Sequence, residues 1–293
     1  MREPIAFIGL GIMGGPMAGH LLAAGHPLFV HTRTRARAEA LLARGATWCE
    51  TPAEAAARAD LLLTIVTDTP DVESVLFGPQ GAATTLRRGA HGVDLSTISP
   101  EGTRHLAERL QAQGVTLLDA PVTGGDVGAR EATLTIMVGG PAEAFERVRP
   151  VLEIMGKRIV HVGPVGSGQL LKSCNQVLCA VNLIGMCEAL LLARRSGLDL
   201  HAAIETLANG AGGSWVWSNL GRRVANGDFE PAFMVKLMQK DLRIAQETAQ
   251  RLGAPLPGAA LAQQLLRAVE ALPRGGDLGT QAMFRVFEKL ASV

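Results

Sequence analysis

The chain has 293 residues, 47% of them apolar and 19% charged, so each half is long enough to bury a core and extended disorder is excluded. With 28 Lys and Arg against 27 Asp and Glu the net charge is +1, which leaves no field to hold a nucleic acid or an anionic membrane. There is no tyrosine, so chemistry that needs a phenolic acid or base is excluded.

In chain order, residues 4–9 (PIAFIG) read as a buried strand ending in glycine, and 14–24 (GGPMAGHLLAA) as a helix that Gly25 ends. A strand at 27–31, a helix at 36–44 and a helical segment at 52–58 follow. Next come strand 60–66 (DLLLTIV), helix 72–77, strand 92–95, helix 100–113 and strand 115–119 (VTLLD). Strands at 134–139 and 157–162, with a helix at 142–155 between them, complete the series. Apolar strands alternating with helices predict an α/β fold with a mostly parallel sheet covered on both faces.

After Gly163-Pro164 the alternation stops, and 169–195 reads as one helix about 40 Å long at 1.5 Å per residue. Further helices are expected near 199–208, 214–226, 231–252, 256–272 and 279–291. The spacing thus predicts two domains, 1–163 α/β and 164–293 all-α, joined by the long helix. Lys172, Asn175, Gln176, Asn182 and Glu188 make that helix too polar for lipid. Cys49, Cys174, Cys179 and Cys187 form no CxxC pair and are expected to be buried thiols in a reducing cytoplasm. The histidines show no HxxxH spacing, so no metal site is expected. The start Met1-Arg2-Glu3-Pro4 has no signal-peptide core, and a cytoplasmic location is expected.

Three segments carry chemistry. Gly9-Leu10-Gly11-Ile12-Met13-Gly14 is a GxGxxG turn that follows a strand and opens a helix, the setting of a Rossmann dinucleotide site. About 20 residues on, where NAD-specific sites place an acid, stands His31-Thr32-Arg33-Thr34-Arg35. A guanidinium pairs with a 2′-phosphate that a carboxylate would repel, so Thr32, Arg33 and Thr34 point to NADP(H) over NAD(H). In the second segment, Lys172 shares a helix face with Asn175 and Gln176 at i, i+3 and i+4, and Asn182 continues it. Apolar neighbours desolvate this lysine and favour its neutral form, which suits an acid/base role. The third is Asp119-Ala120-Pro121-Val122-Thr123-Gly124-Gly125 at a strand end, where Thr123 and the amides of Gly124 and Gly125 could hold a substrate carboxylate. Lys240-Asp241, interrupting a helical pattern, reads in isolation as a solvated ion pair.

Taken together, GLGIMGGPMAGHL at 9–21, DLSTISP at 94–100, DAPVTGG at 119–125, TLTIMVGG at 133–140, GSGQLLKSCNQ at 166–176 and KD at 240–241 resemble the β-hydroxyacid dehydrogenase family. The family includes 3-hydroxyisobutyrate dehydrogenases, tartronate semialdehyde reductases and glyoxylate/succinic semialdehyde reductases. The resemblance implies a Rossmann domain, an all-α domain and a homodimer or homotetramer built around the long helix. It also implies Lys172 as general acid/base with Asn175 in support, and substrate held by Thr123, Gly124 and Gly125. Lys240 and Asp241 would close the site, with Lys240 also touching the cofactor. Val66, Thr67 and Thr97 would line the cofactor, and Trp215 and Phe233 would shape the pocket. Three positions depart from the family pattern: Thr123 replaces a serine, Gln176 stands where asparagine is usual, and Ala132 replaces a glycine. Which of Asn175 and Gln176 touches substrate stays open. The expected reaction is hydride transfer between NADP(H) and a small β-hydroxyacid or its semialdehyde. The alternatives are a non-catalytic NADP-binding interaction module and an imine reductase on the same scaffold.

Overall fold

A computed structural model describes residues 2–291. The strands are β1 (Ile5–Ile8), β2 (Leu28–His31), β3 (Thr47–Trp48), β4 (Leu61–Thr64), β5 (His91–Asp94), β6 (Thr116–Asp119), β7 (Val122–Thr123), β8 (Leu134–Gly139) and β9 (Gly156–Gly163). The first six pair in parallel in the order β3-β2-β1-β4-β5-β6. Successive residues of β1 face opposite sides: Ile5 and Phe7 join one core cluster, Ala6 and Ile8 another. Both faces are therefore covered at the centre of the sheet, which is why β1 and β4 read as unbroken apolar runs, whereas the short outer strand β3 is not expected from the sequence. The order reverses between β1 and β4, the switch point where open α/β sheets bind ligands beyond their strand ends.

The far edge supplies the antiparallel pairings of this mostly parallel sheet. β8 runs antiparallel to β6 and β7, while β9 runs parallel to β8. The segment after β6 is also more structured than a turn: β7 and a short helix, Gly125–Arg130, follow at once. The expected helix at 36–44 is instead a 3₁₀ turn, Arg35–Ala38, and one α turn, Glu39–Leu42.

By its internal contacts the chain divides after Lys172, into a unit ending there and one beginning at Ser173. The long helix, Ser167–Arg195, thus belongs to both, whereas the sequence reading divides the chain at 163. Its first turn stays with the sheet because Asp119 at the end of β6 accepts hydrogen bonds from the backbone N–H of Gly166 (2.7 Å) and Gln169 (2.9 Å). The second unit is helical, with helices Leu200–Leu207, Gly221–Ala225, Val235–Leu252, Pro257–Glu270 and Met283–Leu290 around their own apolar core. Val216–Leu220 adds a π-helical turn inside the expected 214–226 helix. Of the cysteines, Cys49 and Cys187 are buried, and burial pushes the Cys49 thiol up to about 11. Cys174 is exposed, correcting the expectation that all four lie inside: it falls on the outward side of the long helix.

Candidate active site

At the switch point, Gly9 follows β1 with φ +103°, and a Cβ there would lie 2.1 Å from the Ile65 carbonyl oxygen. A Cβ on Gly14 would lie 1.9 Å from the Gly9 carbonyl oxygen. The fold itself requires these two glycines. Gly11 is different: its φ is not positive, and a Cβ there would meet nothing within 4 Å. Close approach of an outside group supplies the reason for glycine at that position. The helix Gly14–Ala23 starts without a side-chain cap or an acid in its first turn, so its positive end suits a phosphate. Around this turn Leu10 is buried, Met13 half-buried and Ile12 exposed. The residues fit a dinucleotide.

Past β2, Thr32 is half-buried and Arg33 and Thr34 are exposed. The Arg33 side chain is 84% exposed and lies 3.7 Å from Asp71 on the helix after β4. Arg35 pairs with Glu50 and lies over the Trp48 ring. The sequence around 31–35 shows no acid, but the fold brings two from other segments.

Between the strand ends lies a buried polar network. Asp94, fully buried at the end of β5, accepts at Oδ1 from Thr64 Oγ1 (2.8 Å), Ser96 Oγ (2.6 Å) and the Ser96 N–H (3.2 Å). Its Oδ2 has no partner, and burial pushes the carboxyl up to about 6, with Asp119 beside it adding to the rise. Burial likewise raises Asp119, against the backbone hydrogen bonds it accepts. Ser96 Oγ accepts from the Val66 N–H (2.8 Å), so Asp94 holds the segment after β4 through Ser96. Thr67 is exposed and Thr97 half-buried.

Lys172, one turn beyond Gln169, is buried at 7% exposure, whereas its neighbour Leu171 is 41% exposed. Thr123 ends β7, half-buried; Gly124 and Gly125 follow with φ +129° and +65°, conformations that favour glycine. Ala132 takes φ +53°, which accounts for glycine being usual there and costs alanine about 1 kcal/mol.

In the second unit, Asn175 Nδ2 donates to Gln176 Oε1 (2.7 Å), and Gln176 Nε2 donates to Asp241 Oδ2 (2.5 Å). Lys240 Nζ lies 2.9 Å from Asp241 Oδ1 without hydrogen-bond alignment. Their side chains are 13% and 3% exposed, and the helix Val235–Leu252 runs through them unbroken. The pair is therefore no solvated face and no interruption, which corrects the isolated reading of Lys240-Asp241. Phe233 packs on the apolar core, Trp215 is 61% exposed and Asn182 is exposed rather than part of a buried face. Sequence reasoning missed Asp94, Ser96, Gln169 and Asp71 as site-forming residues. The signal for Asp94 was an acid inside an apolar strand; the others reach partners that no local pattern reveals.

A parallel sheet with this order and a GxGxxG turn at its switch point defines a dinucleotide-binding protein. Residues 4–163 match the family model described as the NAD binding domain of 6-phosphogluconate dehydrogenase. Residues 166–287 match the model described as NAD-binding of NADP-dependent 3-hydroxyisobutyrate dehydrogenase. The chain is 41% identical over 288 residues to the 2-hydroxy-3-oxopropionate reductase of Escherichia coli, covering 98% of each chain. It is 38% identical over 272 residues to an NAD-dependent L-serine dehydrogenase of Pseudomonas aeruginosa, covering 90% of this chain and 91% of that one. Among solved structures it is similar to the Mycobacterium tuberculosis 3-hydroxyisobutyrate dehydrogenase with L-serine, at TM-score 0.89 and 33% identity over 98% of this chain and 99% of that one. The chain belongs to the β-hydroxyacid dehydrogenase family. It is an oxidoreductase that uses a pyridine nucleotide and a small substrate.

Proposed function

We propose that the protein transfers a hydride reversibly between NADP(H) and a small β-hydroxyacid or its semialdehyde, with Lys172 as general acid and base. The observation that carries this reading is the burial of Lys172 on a helix whose first turn is tied to the end of β6, on the same edge of the parallel sheet as the glycine turn after β1. A bound nicotinamide supplies the hydride in reduction and accepts it in oxidation. Lys172 Nζ gives a proton to the carbonyl oxygen as the hydroxyl forms, and takes it back in the reverse direction. Thr123 Oγ1 and the N–H groups of Gly124 and Gly125 hold the substrate carboxylate. Asn175, Gln176, Lys240 and Asp241 form the polar cluster that completes the site, with Trp215 and Phe233 shaping it.

NADP(H) is favoured by Arg33, whose guanidinium is exposed just past β2, at the point in the fingerprint where NAD-specific sites carry an acid. Asp71 competes for it, but exposed pairs contribute at most about 1 kcal/mol, less than a bidentate, charge-assisted contact to phosphate. The relative named NAD-dependent makes this choice a matter for measurement. Steady-state rates with both cofactors should give the higher kcat/KM with NADPH. In the same assay Lys172→Ala should lower kcat about 10²–10⁴-fold and leave cofactor affinity in place. An unchanged kcat would move the acid elsewhere.

A further inference from the structure

Gln169 is 1% exposed and makes more specific contacts than its place in the chain requires. Its side-chain Oε1 accepts from the Ile98 N–H (3.2 Å) and its Nε2 donates to the Ser96 carbonyl (2.8 Å). The carboxamide therefore grips the backbone on both sides of Thr97. The Gln169 backbone is fixed as well: its N–H donates to Asp119 Oδ2 (2.9 Å). The preceding Gly168 lies so close to β8 that a Cβ would stand 2.3 Å from the Met137 carbonyl oxygen. Ser96, gripped from this side by Gln169, is held from the other by Asp94 and itself holds the Val66 N–H. One continuous set of bonds thus runs from the segments after β4 and β5 to the start of the long helix. Residues three apart on a helix lie on neighbouring positions of one side, so Gln169 is the nearest fixed point below Lys172.

We propose that Gln169 is a positioning residue: by clamping the backbone around Thr97 to the first turn of the lysine helix, it sets where the Lys172 amine stands relative to the cofactor-lining strand ends. The inference rests on Lys172 being the acid and base. Removing the clamp leaves the amine chemically intact but lets its tether drift, and misplacement by about 1 Å can cost about 100-fold in rate. A glutamine that merely fills the core would affect stability and nothing specific to the lysine.

A double-mutant cycle on the full chain separates the two, using Gln169→Leu, Lys172→Ala and their combination, with kcat, substrate KM and melting temperature read for each. Gln169→Glu, which keeps side-chain length and the acceptor for Ile98 but loses the donor to Ser96, runs in parallel so that the cycle stands if the leucine variant does not fold. The expected result is a kcat about 10–100-fold lower for the Gln169 variant with substrate KM little changed, and almost no further loss when the change is added to Lys172→Ala. Equal factors in both backgrounds, or a Gln169 variant with undiminished kcat, would overturn the proposal. Undiminished kcat in Lys172→Ala alone would overturn the acid assignment instead, a separate outcome within the same four proteins.

Discussion

The first unit buries carboxylates at the ends of β5 and β6; the second buries one in the middle of a helix. Asp119 is held by backbone N–H groups of a distant segment, and Asp94 by two hydroxyls and a backbone N–H. Neither has a cation beside it in these bonds. Asp241 is held by side chains alone, the Gln176 amide and the Lys240 ammonium. Parallel strands end in a row, so loops and helix starts arriving there bring unsatisfied N–H groups that a carboxylate can accept. A mid-helix position has its backbone already paired, so a buried acid there depends on side chains, here a counter-ion next to it in the chain and an amide from another helix.

Three substitutions probe that contrast. Asp119→Ala should cost most, because it strands the buried N–H groups of Gly166 and Gln169; at about 1–3 kcal/mol per buried unmet donor the loss is about 3 kcal/mol. Urea unfolding of the full chain measures it, and a loss near zero would show that the helix start is held by something else. Asp241→Asn leaves the mostly buried Lys240 without its charge partner, and about 2 kcal/mol, or about 4–8 °C in Tm, should follow. Asp94→Asn should act in the opposite direction and with pH. The folded-state pKa of Asp94 is raised by burial, so the folded chain holds its proton longer than the unfolded chain does. The associated stability is present below the ordinary carboxylate range and is lost as pH rises through about 6. The amide has no such loss. Its Tm relative to the parent should therefore rise by about 2–4 °C, on the order of 1 kcal/mol, between pH 5 and pH 8. A flat or falling difference would mean that Asp94 is ionised throughout.

Much of the scaffold was legible from periodicity. Five of the six parallel strands show as apolar runs, β3 (Thr47–Trp48) being too short and too exposed to show, and the long helix shows as a long, mostly apolar stretch free of proline after Gly163-Pro164. The antiparallel turn-back at β7 and β8 was not legible, since a two-residue strand inside Pro121-Val122-Thr123-Gly124 has no period to detect. In the site, Lys172 and the amides at i+3 and i+4 are visible because helical spacing is local. The contacts of Gln169 with Ser96 and Ile98 join residues more than 70 positions apart, and Asp119 reaches Gly166 across 47; linear spacing carries no trace of either. Gln176, rather than Asn175, is the amide bonded to Asp241, a choice that depends on where the other helix packs.

The long helix leaves the sheet from a start pinned at Gly166 and Gln169, so the whereabouts of the Lys172 amine, the acid and base proposed above, are written as a count of residues from that origin. Inserting one residue between Gln169 and Lys172 would swing the amine by about 100° around the axis and advance it by only about 1.5 Å. On the proposed assignment, that insertion should lower kcat as far as Lys172→Ala does while keeping every original side chain.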